Sequence, residues 1–180
     1  MKLLKTILVI FIVFGFSSCN DKKEEVTPKE VNVSTFYFIR HAEKDRTDSS
    51  NVDPELTQKG LGRAMHWAEI LKDIELDAVY STDYLRTSMT AAPTSVEKDI
   101  DVQYYDPNAI DIDQFKTENK NSSVLVVGHS NTTPDFVNKM IGEEKYSSLE
   151  DNDNGSLFIV QTINETTTVQ HLNFSCSCLE

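Results

Sequence analysis

Residues 123–128 read SVLVVG. Four consecutive aliphatic side chains before a glycine make a strand with no polar face, and such a strand has to be covered on both sides. That requirement selects a sheet with helices above and below it. Residues 35–40 (TFYFIR) and 77–81 (DAVYS) are two more short β-prone runs, and residues 101–105 (DVQYY) are a weaker one. Helical segments stand between them. Thr57 can cap a helix running to about Lys72, with Leu61, Ala64, Met65, Ala68 and Leu71 on one face. A second helix is predicted from about Leu85 to Ala92, ended by Pro93, and a third over residues 112–119. Thr133-Pro134 supplies a cap followed by proline at the first helical position, which opens a fourth helix running to Ile141. Residues 156–162 and 168–174 alternate imperfectly as two last strands. The order implies an α/β fold, a three-layer α/β/α sandwich with a mostly parallel central sheet.

In such sheets ligands bind beyond the carboxyl ends of the strands. That edge gathers Arg40-His41-Ala42-Glu43, the segment from Ser81 to Thr87 with Arg86, and Gly128-His129-Ser130-Asn131. Two arginines and two of the four histidines thus converge on one edge of a chain whose formal net charge is −12. Guanidinium forks and imidazoles beside a helix start make a receptor for a dianion. The acidic surface excludes non-specific nucleic-acid binding. No H-x-x-x-H pair accompanies His41 and His129, and no second cysteine pair suits a zinc site.

The residues at that edge carry a resemblance. FIRHAEK (residues 38–44), LTQKGLGRA (56–64), VYSTDYLRTSMTA (79–91) and VLVVGHSNTTP (124–134) resemble, in order, the motifs of the histidine phosphatase (phosphoglycerate mutase-like) superfamily. The resemblance implies a phosphoglycerate mutase-like fold and a phosphatase that needs neither metal nor cofactor. His41 would take the phosphoryl group as a phosphohistidine, with Arg40, Arg86 and His129 holding its oxygens. Ala42 replaces the usual glycine, and with Glu43-Lys44 it is similar to a subset that includes phosphohistidine phosphatases. The proton donor has no fixed motif: Asp106 is best placed, Asp111 and Glu43 are alternatives, and an ordinary turn before Pro107 explains Asp106 equally well. His66 and His171 read as structural or exposed, Lys44 and Arg46 either as substrate contacts or as a solvated loop, and Trp67 as packing. Three functions fit: a phosphomonoesterase acting on a small phosphorylated substrate, a phosphohistidine protein phosphatase, or a non-catalytic anion binder. Only 42 residues separate Arg86 from His129, which leaves little room for a large substrate cap.

The first eighteen residues stand apart. Lys2 and Lys5 precede an apolar run from Ile7 to Phe16, too short to span a ~30 Å hydrocarbon core but suited to a secretory signal. Gly15-Phe16-Ser17-Ser18-Cys19 resembles a bacterial lipobox. It implies cleavage after residue 18, lipid on Cys19, export, and attachment to a bacterial membrane on its periplasmic or cell-surface side. Residues 19–34 then read as a flexible tether reaching roughly 50 Å at most. The phosphatase domain is expected over residues 35–175. Cys176 and Cys178 on one strand would lie ~6.6 Å apart, at the edge of disulfide geometry, and read as a dispensable tail.

Overall fold

The computed structural model describes residues 31–176, so the expected signal, Cys19, most of the tether and Cys178 lie outside the described residues. The elements follow in the order β1 (Val33–Arg40), α1 (Gln58–Leu71), β2 (Ala78–Ser81), α2 (Leu85–Lys98), β3 (Val102–Tyr104), α3 (Ile112–Glu118), β4 (Ser123–Gly128), α4 (Thr132–Ile141), β5 (Ser156–Ile163) and β6 (Thr166–Asn173). They build one six-stranded sheet in the order β3-β2-β4-β1-β5-β6. The first four strands in that list run parallel, while β5 pairs antiparallel with β1 and β6 antiparallel with β5.

Successive side chains of a strand point to opposite faces, and here both faces are apolar. On one, Phe36, Phe38, Val124, Val126 and Phe158 pack against Phe115 of α3 and Phe136 of α4. The Phe38 and Phe136 rings meet at 5.0 Å. On the other, Ile39, Val79, Leu125 and Val127 meet Trp67 and Leu71 of α1 and Ala91 of α2. The three layers expected from the buried strand are therefore present. In register, Arg40 lies opposite Gly128, and Ser81 opposite Val127. Three strand ends thus finish at one level.

Four local expectations are corrected. Strand β1 begins at Val33, two residues early, because buried Ser34 turns its hydroxyl to the Asn121 N–H. The covered face of α1 is made by Gly60, Arg63, Ala64, Trp67, Ala68 and Leu71, while Leu61 and Met65 are exposed. Gly60 sets that phase: a Cβ there would come within 2.2 Å of the Glu43 carbonyl oxygen. Helix α2 passes through Pro93 and ends at Lys98. Buried Ala91 and Thr94 fix the chain on both sides of the proline, and tertiary packing outweighs the missing N–H. Helix α4 starts at Thr132 after Asn131, so Pro134 falls in its first turn, where an N–H would have no helical partner. The Trp67 reading is borne out, with Trp67 edge-on to Phe174 at 5.8 Å. Cys176 is disulfide-bonded.

Candidate active site

Main-chain and side-chain hydrogen bonds hold the segment leaving β1. The His41 N–H donates to Gly128 O at 2.9 Å, and His41 O accepts from Asn154 Nδ2 at 2.9 Å. Thr90 accepts from the Ala42 N–H at 2.9 Å and donates to Arg86 O at 2.7 Å, tying His41's neighbour to α2. The His41 ring is almost fully buried, and its Nδ1 lies 2.7 Å from Ala42 O. A carbonyl only accepts, so Nδ1 carries the hydrogen and Nε2 keeps a lone pair. Burial lowers the His41 pKa to about 3; the charges of Arg40 and Arg86 and the neighbouring His129 act in the same sense, and the Ala42 bond opposes them. The ring is therefore neutral at neutral pH.

His129 follows β4 and meets His41 with ring centroids 5.5 Å apart. Its Nε2 lies 2.9 Å from Thr82 Oγ1. The single hydroxyl hydrogen of Thr87 points to the Thr82 or Tyr84 carbonyl, and that of Thr82 points to Thr87 Oγ1 at 3.0 Å. Thr82 can then only accept from His129, so Nε2 is the protonated nitrogen and Nδ1 is left to gain or hold a second proton. Burial, then Arg86, Arg40 and Lys44, lower the His129 pKa to about 4. Tyr84 stands edge-on to His129 at 5.1 Å, with the Arg86 guanidinium 4.2 Å from its ring centre.

The two arginines are locked from behind. Arg40 Nη1 donates to the carbonyls of Glu150, Asp151 and Asp153 at 2.8, 3.1 and 3.1 Å, and Nη2 to Asp151 Oδ1 at 3.3 Å. Arg86 Nη1 donates to Asp53 Oδ1 at 3.2 Å, and Asp53 also accepts from the Leu85 N–H at 3.0 Å. The Nε–H of each arginine is buried with no partner among the described residues. A buried donor left unmade costs ~1–3 kcal/mol, and an oxyanion would relieve both. Arg40, His41, Arg86 and His129 line one cleft of about 410 Å³ together with Lys44 and Asp106.

The three candidate acids separate. Asp106 lines the cleft, exposed, and its Oδ1 caps the turn at the Asn108 N–H at 2.8 Å. Asp111 is instead the N-cap of α3, outside this cleft. Glu43 is gripped by Arg63 through Nε and Nη2. Burial works against its charge, but Arg63 holds the carboxyl below its ordinary pKa. Of the remaining polar residues, Lys44 lines the cleft, Arg46 binds Asp151 at 2.7 Å, and His171 stacks on Phe158 at 4.3 Å. His66 is half-buried on α1. Sequence reasoning brought Thr82 and Thr87 to this edge without giving them a role, and it missed the parts of Asp53, Asp151, Asn154 and Thr90, none of which stands in a distinctive spacing. Among the described residues no group of three or more His, Cys, Asp or Glu could hold a metal ion.

Residues 36–107 match the profile of the Histidine phosphatase superfamily (branch 1). Among curated proteins none matches the chain. Similar solved structures include the protein histidine phosphatase SixA complexed with tungstate, at 16% identity and TM-score 0.61, covering 77% of this chain and 96% of that one. A mycobacterial glucosyl-3-phosphoglycerate phosphatase aligns at 13% identity and TM-score 0.60, covering 79% and 100%. Phosphoglycerate mutase from Bacillus anthracis str. Sterne aligns at 18% identity and TM-score 0.57, covering 78% and 93%. The fold of this chain is similar to that of these phosphatases and of phosphoglycerate mutase.

Proposed function

We propose that the protein is a phosphatase of the histidine phosphatase superfamily that hydrolyses phosphate monoesters through a phosphohistidine on His41. The observation that carries the reading is the 2.7 Å contact from His41 Nδ1 to Ala42 O, which leaves Nε2 as a buried, neutral lone pair beside two arginines. Attack by Nε2 forms an N–P bond as the P–O bond to the leaving group breaks, with the electron pair departing on that oxygen. The unpartnered Nε–H groups of Arg40 and Arg86 donate to the phosphoryl oxygens, and His129 donates through Nδ1 once the dianion has drawn a proton onto it. Water then forms the new O–P bond and returns the electron pair to His41 Nε2. Asp106 is the acid in reach of the leaving group, since Glu43 is tied to Arg63 and Asp111 caps α3.

Alkali-quenched enzyme mixed with substrate is expected to carry one phosphoryl group on His41 by mass spectrometry, and His41→Ala to lack both adduct and turnover. Full activity in that variant would end the covalent mechanism. The same reading has the enzyme exported and lipid-anchored at Cys19, because two acyl chains hold a protein on a membrane where one gives only marginal binding. Cys19→Ser is then expected to move the protein from the membrane fraction to the soluble one.

A further inference from the structure

The cleft adjoins two hollows. One, about 530 Å³, is bounded by His41 itself together with Lys44, Arg46 and Lys59, which are matched by Glu43, Glu150 and Asp151. The other, about 370 Å³, is walled by Tyr84, Tyr104, Tyr105 and Pro107, with Asp83 and Asp106 as its only charges. This tyrosine hollow shares Tyr84, Asp106 and Pro107 with the cleft and does not touch His41. In phosphoryl transfer the attacking and leaving atoms lie roughly in line on opposite sides of phosphorus. Of the two hollows, the one that does not touch the nucleophile is the better placed to take a leaving group.

The walls say what fits it. Tyr84 and Tyr104 are 41% and 59% exposed, so both leave aromatic surface open beside the site, Tyr84 while also meeting His129 and the Arg86 guanidinium. The Tyr104 hydroxyl, 3.5 Å from Ser88 Oγ, holds that ring beside α2.

Building on the phosphatase reading above, we propose that the substrates are phosphate esters of neutral aromatic alcohols. The leaving ring rests on Tyr84 and Tyr104, and Asp83 repels leaving groups that carry a carboxylate. The His41 Nε2–P bond forms as the P–O(aryl) bond breaks, and the phenolate departs with that bond's electron pair and takes its proton from Asp106 or water.

The test compares kcat/KM for phenyl, 2-naphthyl and 4-carboxyphenyl phosphate and for glycerol phosphate, in wild type, Tyr104→Ala and Asp83→Asn. Naphthyl and phenyl phosphate are expected to exceed the carboxyphenyl ester. Tyr104→Ala is expected to lower the naphthyl value roughly threefold to tenfold without changing that for glycerol phosphate, and Asp83→Asn to narrow the gap between phenyl and carboxyphenyl. An equal loss on all esters in Tyr104→Ala overturns the proposal. So does a preference for the carboxylate ester that disappears in Lys59→Ala, which would send the leaving group to the hollow beside His41. Calorimetric binding of 2-naphthylmethylphosphonate against methylphosphonate separates the two readings. With no ester hydrolysed, tighter naphthyl binding that is lost in Tyr104→Ala sinks the phosphatase reading and keeps the aromatic subsite. Equal binding of the two phosphonates sinks the subsite whatever the turnover.

Discussion

Acidification from pH 7.5 to 5.0 is expected to destabilise the ligand-free protein through its two site histidines. In the folded state His41 titrates at about 3 and His129 at about 4, both below the ordinary 6.5 of an imidazole. Between these values the unfolded chain binds more protons than the folded one, so stability is complete above pH 6.5 and is lost as pH falls. At pH 5.0 the almost fully buried His41 ring accounts for about 2 kcal/mol of that loss by linkage. His129 lies nearer solvent, where screening trims its share to about 1–2 kcal/mol. The rings are 5.5 Å apart and each opposes protonation of the other, so the two shares belong to a coupled pair. The assay is urea unfolding at both pH values for wild type and His41→Asn, in phosphate-free buffer. Changes in overall charge repulsion act on both proteins and cancel in the comparison. The variant is expected to lose about 2 kcal/mol less than wild type on acidification. Parallel losses would show that burial does not hold His41 neutral. Saturating vanadate is expected to shrink the wild-type loss, since a bound dianion favours imidazolium.

Gly60→Ala places a methyl group where the Glu43 carbonyl oxygen already lies 2.2 Å away, and overpacking of that kind costs ~1–3 kcal/mol. A lowered melting temperature checks it, and an unchanged one would mean that α1 shifts freely. Asp53→Ala frees Arg86 and the first N–H of α2 together; one lost hydrogen bond of ~1 kcal/mol predicts vanadate inhibition weakened about fivefold, read from initial rates. Asp106→Asn keeps vanadate binding, and general-acid assistance of ~10²–10⁴-fold is expected to vanish for alkyl phosphates and to matter far less for p-nitrophenyl phosphate. Equal, slight losses on both esters would leave Asp106 a turn residue.

The sheet was legible because burial on both faces writes itself as an aliphatic run, and β4 matches its expected limits residue for residue. Arg40, His41, Arg86 and His129 were legible because each follows a strand end, and strand ends converge. The phase of α1 was not, since a periodicity of apolar residues cannot see that Gly60 touches main chain or that Arg63 is covered through its pair with Glu43. Pro93 misled for the opposite reason: its intrinsic preference is strong, but the packing of Ala91 and Thr94 is tertiary. Asp151 reaches Arg40 across 111 positions of chain, and no local pattern announces such a partner.

The alignment of Arg40 with Gly128 across β1 and β4 has a consequence for how the protein fails. The two histidines sit one residue past a pair of strands locked side by side in the middle of the sheet, so their separation is measured out by the ladder itself. Slipping that ladder by one residue would shift one imidazole by ~3.3 Å along the strand and turn it to the opposite face. No partly working intermediate lies between the aligned and the slipped arrangement. Loss of activity on heating should therefore coincide with loss of the whole sheet, as a single cooperative event, and surviving activity should count intact molecules one by one.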